Sequence, residues 1–119
     1  MEWQIVVTNE FEQWFLSLSD HEQVDILAMI NVLEVKGPTL GRPYADTLKG
    51  SDKIRNLKEL RLQHSGKPYR ILYAFDPKRS AVLLCGGRKN GKKDKLFYKR
   101  MIYLAEKVFT RYLKDEGLL

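Results

Sequence analysis

Cysteine and histidine are almost missing from this chain. Cys85 stands alone, so no intrachain disulfide can form, and with only His21 and His64 there is no Cys/His cluster for a structural zinc site. The longest apolar runs, such as Ile26 to Ile30, fall far short of the ~20 residues a membrane helix needs. The opening Met1-Glu2-Trp3-Gln4 is neither basic nor followed by an apolar stretch of signal-peptide length, so a reduced, cytoplasmic domain with no membrane partner is expected. Walker, GxGxxG, HExxH and GxSxG motifs are all absent. Carboxylates are sparse on the candidate strands, where only Glu59 and Asp76 occur, whereas a metal-dependent nuclease gathers several acids on adjacent strands. No metal and no other cofactor is expected.

What is present is positive charge in one place. The 119 residues carry net +6, and residues 88 to 100 hold seven basic side chains against the single acid Asp94, so this segment of 13 residues accounts for the whole excess. Clustered Lys and Arg gain affinity for a polyanion by releasing its counterions, although a solvated loop and helix start has the same composition. The length suits one domain spanning 1–119, with a core formed by burying roughly two-thirds of the unfolded surface.

Periodicity orders the elements. Glu2 to Thr8 alternates as a half-buried strand does. Asn9 with Glu12 reads as a capping box opening a helix whose apolar face is Phe11, Trp14, Phe15 and Leu18. Ser19 with Glu22 repeats that signal for a second helix, which Gly37-Pro38 stops, giving a helical hairpin. Gly37 to Arg55 reads as a loop. Leu57 to Gln63, Tyr69 to Asp76 and Ala81 to Cys85 read as three strands joined by tight turns, an antiparallel meander, with the first strand at an edge or beside the last. Asp94 opens a final helix reaching about Lys114, with Phe97, Met101, Leu104, Val108 and Tyr112 at helical spacing. The expectation is a small α+β sandwich in which the helices cover one face of the sheet and leave the other partly free.

The strands offer cations. Counting back from a Ser65-Gly66 turn places Arg61 opposite Arg70, and like charges directly opposite destabilise a sheet unless an anion lies between them. That anion is either a ligand phosphate or a neighbouring Glu59 or Asp76. Arg88 and Lys89 leave the last strand toward the same end, so the four cations are expected to converge on one phosphate. A site of this kind cleaves RNA without metal, since Arg and Lys stabilise charge developing on the phosphoryl oxygens while a 2′-oxygen attacks. Lys89, between Arg88 and the Lys92-Lys93 pair, is the candidate base, because crowding by like charge favours the neutral amine; simple phosphate binding is its other role. Tyr98 and Tyr73 are candidates to stack a base or donate a proton, and His64, at the turn end of the second strand, is a further candidate ring. Lys95 extends the RNA-binding set of His64, Tyr73, Arg88, Lys92 and Lys93.

Leu48-Lys49-Gly50, Leu57-Lys58-Glu59-Leu60-Arg61, Pro68-Tyr69-Arg70-Ile71-Leu72-Tyr73 and Leu83-Leu84-Cys85-Gly86-Gly87-Arg88-Lys89 together resemble the RelE/ParE toxin superfamily, and within it the HigB-like, phage Gp49-related branch. The resemblance covers nearly the whole chain. It implies a RelE-like fold and a toxin of a type II toxin–antitoxin pair, held inactive by an antitoxin of helix-turn-helix type encoded nearby. Many such toxins cleave mRNA in the ribosomal A site without metal. Carried over by motif, Arg61 and Arg70 match the family's strand arginines, Lys89 its basic residue after the last strand, and Tyr98 the aromatic near the final helix. Cys85 stands where that branch often carries histidine, and Gly87 where it carries phenylalanine. Three readings follow: a ribosome-dependent mRNA endoribonuclease, a ParE-like poison of DNA gyrase, and an RNA-binding regulatory module without chemistry. Apolar surface beside the terminal helix is expected to receive an antitoxin segment.

Overall fold

The structure, a computed structural model, describes residues 2–90 and 94–119. In chain order it comprises β1 (Gln4–Val7), α1 (Asn9–Leu16), α2 (Asp20–Lys36), a 3₁₀ turn (Gly37–Thr39), β2 (Ala45–Thr47), β3 (Lys58–His64), β4 (Lys67–Phe75), β5 (Ser80–Arg88) and α3 (Asp94–Asp115). The strands form one mixed sheet in the order β1-β5-β4-β3-β2. The β3, β4 and β5 meander is antiparallel as expected, and β1 lies at the edge, parallel to β5. Among the described residues no helix is long and apolar enough to cross a membrane.

Local signals explain most boundaries. The first helix is capped one residue earlier than the capping-box pattern implies: the Thr8 hydroxyl accepts from the Phe11 N–H and donates to the Leu83 carbonyl at 2.7 Å, tying α1 to β5. The capping box at α2 is complete, with Ser19 and Glu22 each accepting from the other's N–H. Glu22 also accepts from the buried Tyr69 hydroxyl. That hydroxyl first, and then the Ser19 N–H and hydroxyl, hold the Glu22 carboxyl at about 2, below its usual 4.5. A carboxyl lowered by folding stabilises above its unfolded pKa and loses that contribution as pH falls through its folded one. Wild type is therefore expected to exceed Glu22→Gln in melting temperature at pH 6. The gap should close as pH falls from about 4.5 to about 2; a constant gap across that range would disprove the linkage.

Two features depart from the sequence expectation. The 37–55 loop contains the short strand β2, paired antiparallel with Lys58–Leu60 of β3; three residues are too few to carry a readable alternation. The helices also occupy both faces of the sheet. Helices α1 and α2 pack over Leu60, Ile71, Tyr73 and Leu83, while α3 packs over Leu72, Ala74, Val82 and Leu84 on the opposite face. The reason is visible in β4, where both alternating sets, Tyr69/Ile71/Tyr73 and Leu72/Ala74, are apolar, so each needs a cover.

A β-bulge sets the phase of β5. Leu72 pairs with Cys85 but Tyr73 pairs with Leu83, leaving Leu84 as the extra residue. Beyond it the faces are exchanged relative to simple alternation. Gly86 now lies under the Trp14 ring of α1, where a Cβ would overlap the indole. Gly87 faces α3, where a Cβ would stand 3.1 Å from Phe97. This close approach of α3 explains the departure from phenylalanine at position 87, since Phe97 already fills that space.

Candidate active site

The site is built on the α3 face of the sheet, at the end where β3 and β4 run beyond β2. Arg61 and Arg70 are direct cross-strand partners, as the turn count requires. Between them lies Glu59, two residues before Arg61 on the same face of β3 and 2% exposed. Its Oε2 accepts from Arg61 Nε at 3.0 Å and lies 2.9 Å from Arg61 Nη2, and its Oε1 lies 3.5 Å from Arg70 Nε. The Tyr98 hydroxyl, brought from the first turns of α3, donates to Glu59 Oε1 at 2.6 Å and accepts from Arg70 Nε at 3.3 Å. Thus the anion between the arginines belongs to the protein itself. It orients both guanidiniums while, among the described residues, Arg61 Nη1 and Arg70 Nη2 carry no protein partner.

The surrounding electrostatics follow from these contacts. The Glu59 hydrogen bond raises the Arg61 pKa further. Burial first, and then the bond to Glu59, raise that of the Tyr98 phenol, so it stays protonated through neutral pH. Asp46 of β2 accepts from Arg61 Nη2 at 3.3 Å and from Arg42, and the Arg42 hydrogen bond is the main cause of its lowered pKa.

Lys89 reaches the same face because the bulge in β5 turns it there. Its Nζ lies 5.8 Å from the centre of the Tyr98 ring and 3.1 Å from Asp94 Oδ2. Of the cations expected to crowd it, Arg88 faces the other side of the sheet and Lys92 and Lys93 lie outside the described residues, while the Asp94 carboxylate pairs with it, so among the described residues Lys89 is an ion-paired cation at the rim.

The other sequence candidates separate. Arg88 pairs in register with Tyr69 and is exposed on the opposite face, so it does not join the other three cations; it borders a cleft of about 340 Å³ with Leu96, Phe97 and Arg100. His64 is three residues after Arg61 and therefore also on the opposite face, where its Nδ1 lies 2.6 Å from Asp25 Oδ2 and its ring meets the edge of Tyr69. Tyr73 is fully buried under α2, with its ring against Phe75 and its hydroxyl without a partner among the described residues, so it cannot stack on a ligand base. The strand alternation that made Tyr73 a candidate was a core signal. Lys92 and Lys93 lie outside the described residues. Cys85 is buried against the Met101 carbonyl, and burial pushes its thiol up to about 12, so it does not replace a histidine in acid–base work.

Lys95 is exposed beside Tyr98 in a cleft of about 870 Å³ between α3 and the 49–52 loop. Lys49, Lys99 and Arg100 add positive charge there, and Tyr103 adds an exposed aromatic ring. Sequence reasoning counted Lys99 only within the 88–100 basic cluster and passed over Tyr103, although their i, i+4 spacing from Lys95 and Lys99 marks one side of the helix. It weighed Glu59 only as a neutralising neighbour, though the Glu59-x-Arg61 spacing already puts both on one strand face. Asp46 could be found only through the strand pairing.

Fold comparison finds the same fold in RelE-type toxins. It superposes on the Mycobacterium tuberculosis RelBE2 toxin–antitoxin complex with a TM-score of 0.58 and 13% identity over 75% of this chain and 100% of that one. On a free mutant form of Escherichia coli toxin RelE the TM-score is 0.59 at 11% identity, covering 81% of this chain and 93% of that one. In sequence, the family described as phage derived protein Gp49-like (DUF891) matches residues 13–110. A Mycobacterium tuberculosis protein named as toxin HigB3 is 38% identical over 112 residues, 94% of this chain and 95% of that protein. The chain belongs to the Gp49-like family of HigB-like toxins of type II toxin–antitoxin systems, and it shares the fold of the RelE toxins.

Proposed function

We propose that this toxin is a metal-independent endoribonuclease that cleaves mRNA on the ribosome in the cytoplasm and so arrests translation. Its neutralising partner is an antitoxin of helix-turn-helix type encoded nearby. The observation that carries the reading is the Arg61–Glu59–Arg70 arrangement, with one nitrogen of each guanidinium left for a ligand and the Tyr98 hydroxyl bonded to both Glu59 and Arg70.

The two free nitrogens grip the phosphate. As the 2′-oxygen forms its bond to phosphorus, its proton passes to the Tyr98 oxygen while the Tyr98 proton passes along its hydrogen bond to Glu59 Oε1, 2.6 Å from the phenol oxygen. The bond from phosphorus to the 5′-oxygen breaks, and Lys89 gives that oxygen a proton. The products are a 2′,3′-cyclic phosphate and a 5′-hydroxyl end. Preorganised donors of this kind contribute about 2.7–4 kcal/mol each to the barrier, and positioned proton transfer about 10²–10⁴ in rate. The cationic cleft of Lys49, Lys95 and Lys99 continues from Tyr98 and suits the flanking RNA phosphates.

Induced expression in bacteria tests the reading, with pulse labelling of protein and DNA synthesis and primer extension on an abundant mRNA. Rapid loss of translation with new in-frame cuts, absent from the Arg61→Ala/Arg70→Ala double variant, is the expected result. Normal translation with arrested DNA synthesis would favour gyrase poisoning, and neither effect would leave a binding module. Tyr98→Phe keeps the ring beside Lys89 but removes the relay, so kcat is expected to fall about ten- to a hundredfold with KM nearly unchanged. An equal loss in KM alone would make Tyr98 a binding residue only.

A further inference from the structure

We propose that the groove over the open edge of β3 is a nucleobase pocket, holding the base attached to the phosphate that Arg61 and Arg70 grip; this rests on the RNA reading above. Strand β2 pairs only with Lys58–Leu60, and the last contact on that side is the Arg61 N–H donating to the Tyr44 carbonyl at 2.8 Å. Beyond it, the edge of β3 at Leu62 and Gln63 borders a groove of about 600 Å³. Met29 and Val32 of α2 form one wall, and Pro43 and Tyr44, approaching β2, form the other.

The chemistry of the groove is graded along its length. Arg61 lies beside Tyr44 and Arg70 opposite it, whereas the Asp25 carboxylate meets His64 three residues further along β3, and the lining otherwise includes apolar side chains and the Tyr44 ring. A ligand that fits has an anion at one end and a flat, apolar body at the other. That describes a nucleotide with its phosphate at the arginines; a second phosphate is disfavoured near Asp25. Tyr44 is 53% exposed and makes no side-chain hydrogen bond among the described residues, so its ring is free to stack. Stacking on an aromatic face accepts any base, while the Gln63 amide and Asp25 can pair with its polar edge. The pocket therefore lies on the phosphate-gripping site but draws on α2 and the residues before β2, which take no part in the cleavage chemistry.

The test is a nuclear magnetic resonance titration of the full chain, to millimolar ligand, with a 2′-O-methyl trinucleotide that cannot cleave itself and with the same trinucleotide lacking its middle base. The base-bearing ligand is expected to shift the Tyr44 ring and the Met29 and Val32 methyls, and the abasic one to leave them in place. Both should shift the Arg61 and Arg70 Nε signals. Tyr44→Ala, at an exposed position, should weaken the base-bearing ligand about tenfold, spare the abasic one, and change which nucleotides flank the cut in mRNA. If the arginines respond to both ligands and the groove distinguishes neither, the pocket is overturned and the RNA reading stands. If the arginines respond to neither ligand, the RNA reading fails and the pocket with it.

Discussion

Arg70→Ala is expected to lower mRNA cleavage at least a hundredfold while the protein remains folded. Arg70 is the most constrained cation of the site: Nε reaches the Tyr98 hydroxyl and Glu59, Nη1 donates to the Tyr69 carbonyl at 2.9 Å, and Nη2 remains for substrate. Removing one donor aimed at developing charge typically costs about 10²–10³ in rate. Arg70→Lys restores the charge but not the planar fork that spans three partners, so it should recover stability more than activity. Cleavage rates and melting curves on both variants separate the effects. An Arg70→Lys protein as active as wild type would show that only charge matters, and the bound geometry proposed here would be wrong.

Glu59→Gln is expected to produce the largest loss of stability and a new dependence on anions. The amide keeps the size of the side chain but removes the charge that separates two guanidiniums placed opposite each other in adjacent strands. Breaking a buried ion pair by removing one partner costs about 3–5 kcal/mol. The lower end applies here, because the Arg61 side chain is about one-third exposed and water screens it. A fall in melting temperature of about 10 °C follows for a domain of this size. Sulfate or phosphate, able to bind at Arg61 Nη1 and Arg70 Nη2 and supply the charge the amide lacks, should then stabilise Glu59→Gln more than wild type, in proportion to ligand excess over its dissociation constant. Equal responses to sulfate would mean that the arginines do not form an anion site, and the phosphate-gripping role would fall with it.

The pairing of Arg61 with Arg70 was legible because a two-residue turn fixes register and the side-chain period of a strand is two. The same period hid the truth about Tyr73 and Lys89. Tyr73 shares a strand with Arg70 but differs from it by an odd number of residues, so it enters the α1/α2 core. Lys89 would have faced that core too, had the extra residue Leu84 not reversed the phase of β5. A bulge arises from the fit of two strands within a closed sheet, and no local pattern in Ala81–Cys85 announces it.

The sequence by itself determined the family, the order of the main elements, the capping of α2 and the opposed arginines, because these depend on local chemistry and short-range periodicity. Only the tertiary structure decided that α3 covers the face opposite α1 and α2, that Glu59 neutralises the arginine pair, and that Lys89 and Tyr98 join them while His64, Tyr73 and Arg88 do not. Those outcomes depend on which face of a two-sided apolar sheet each helix takes and on one register shift. Both are set by how distant segments pack together, a property of the whole chain rather than of any stretch of it.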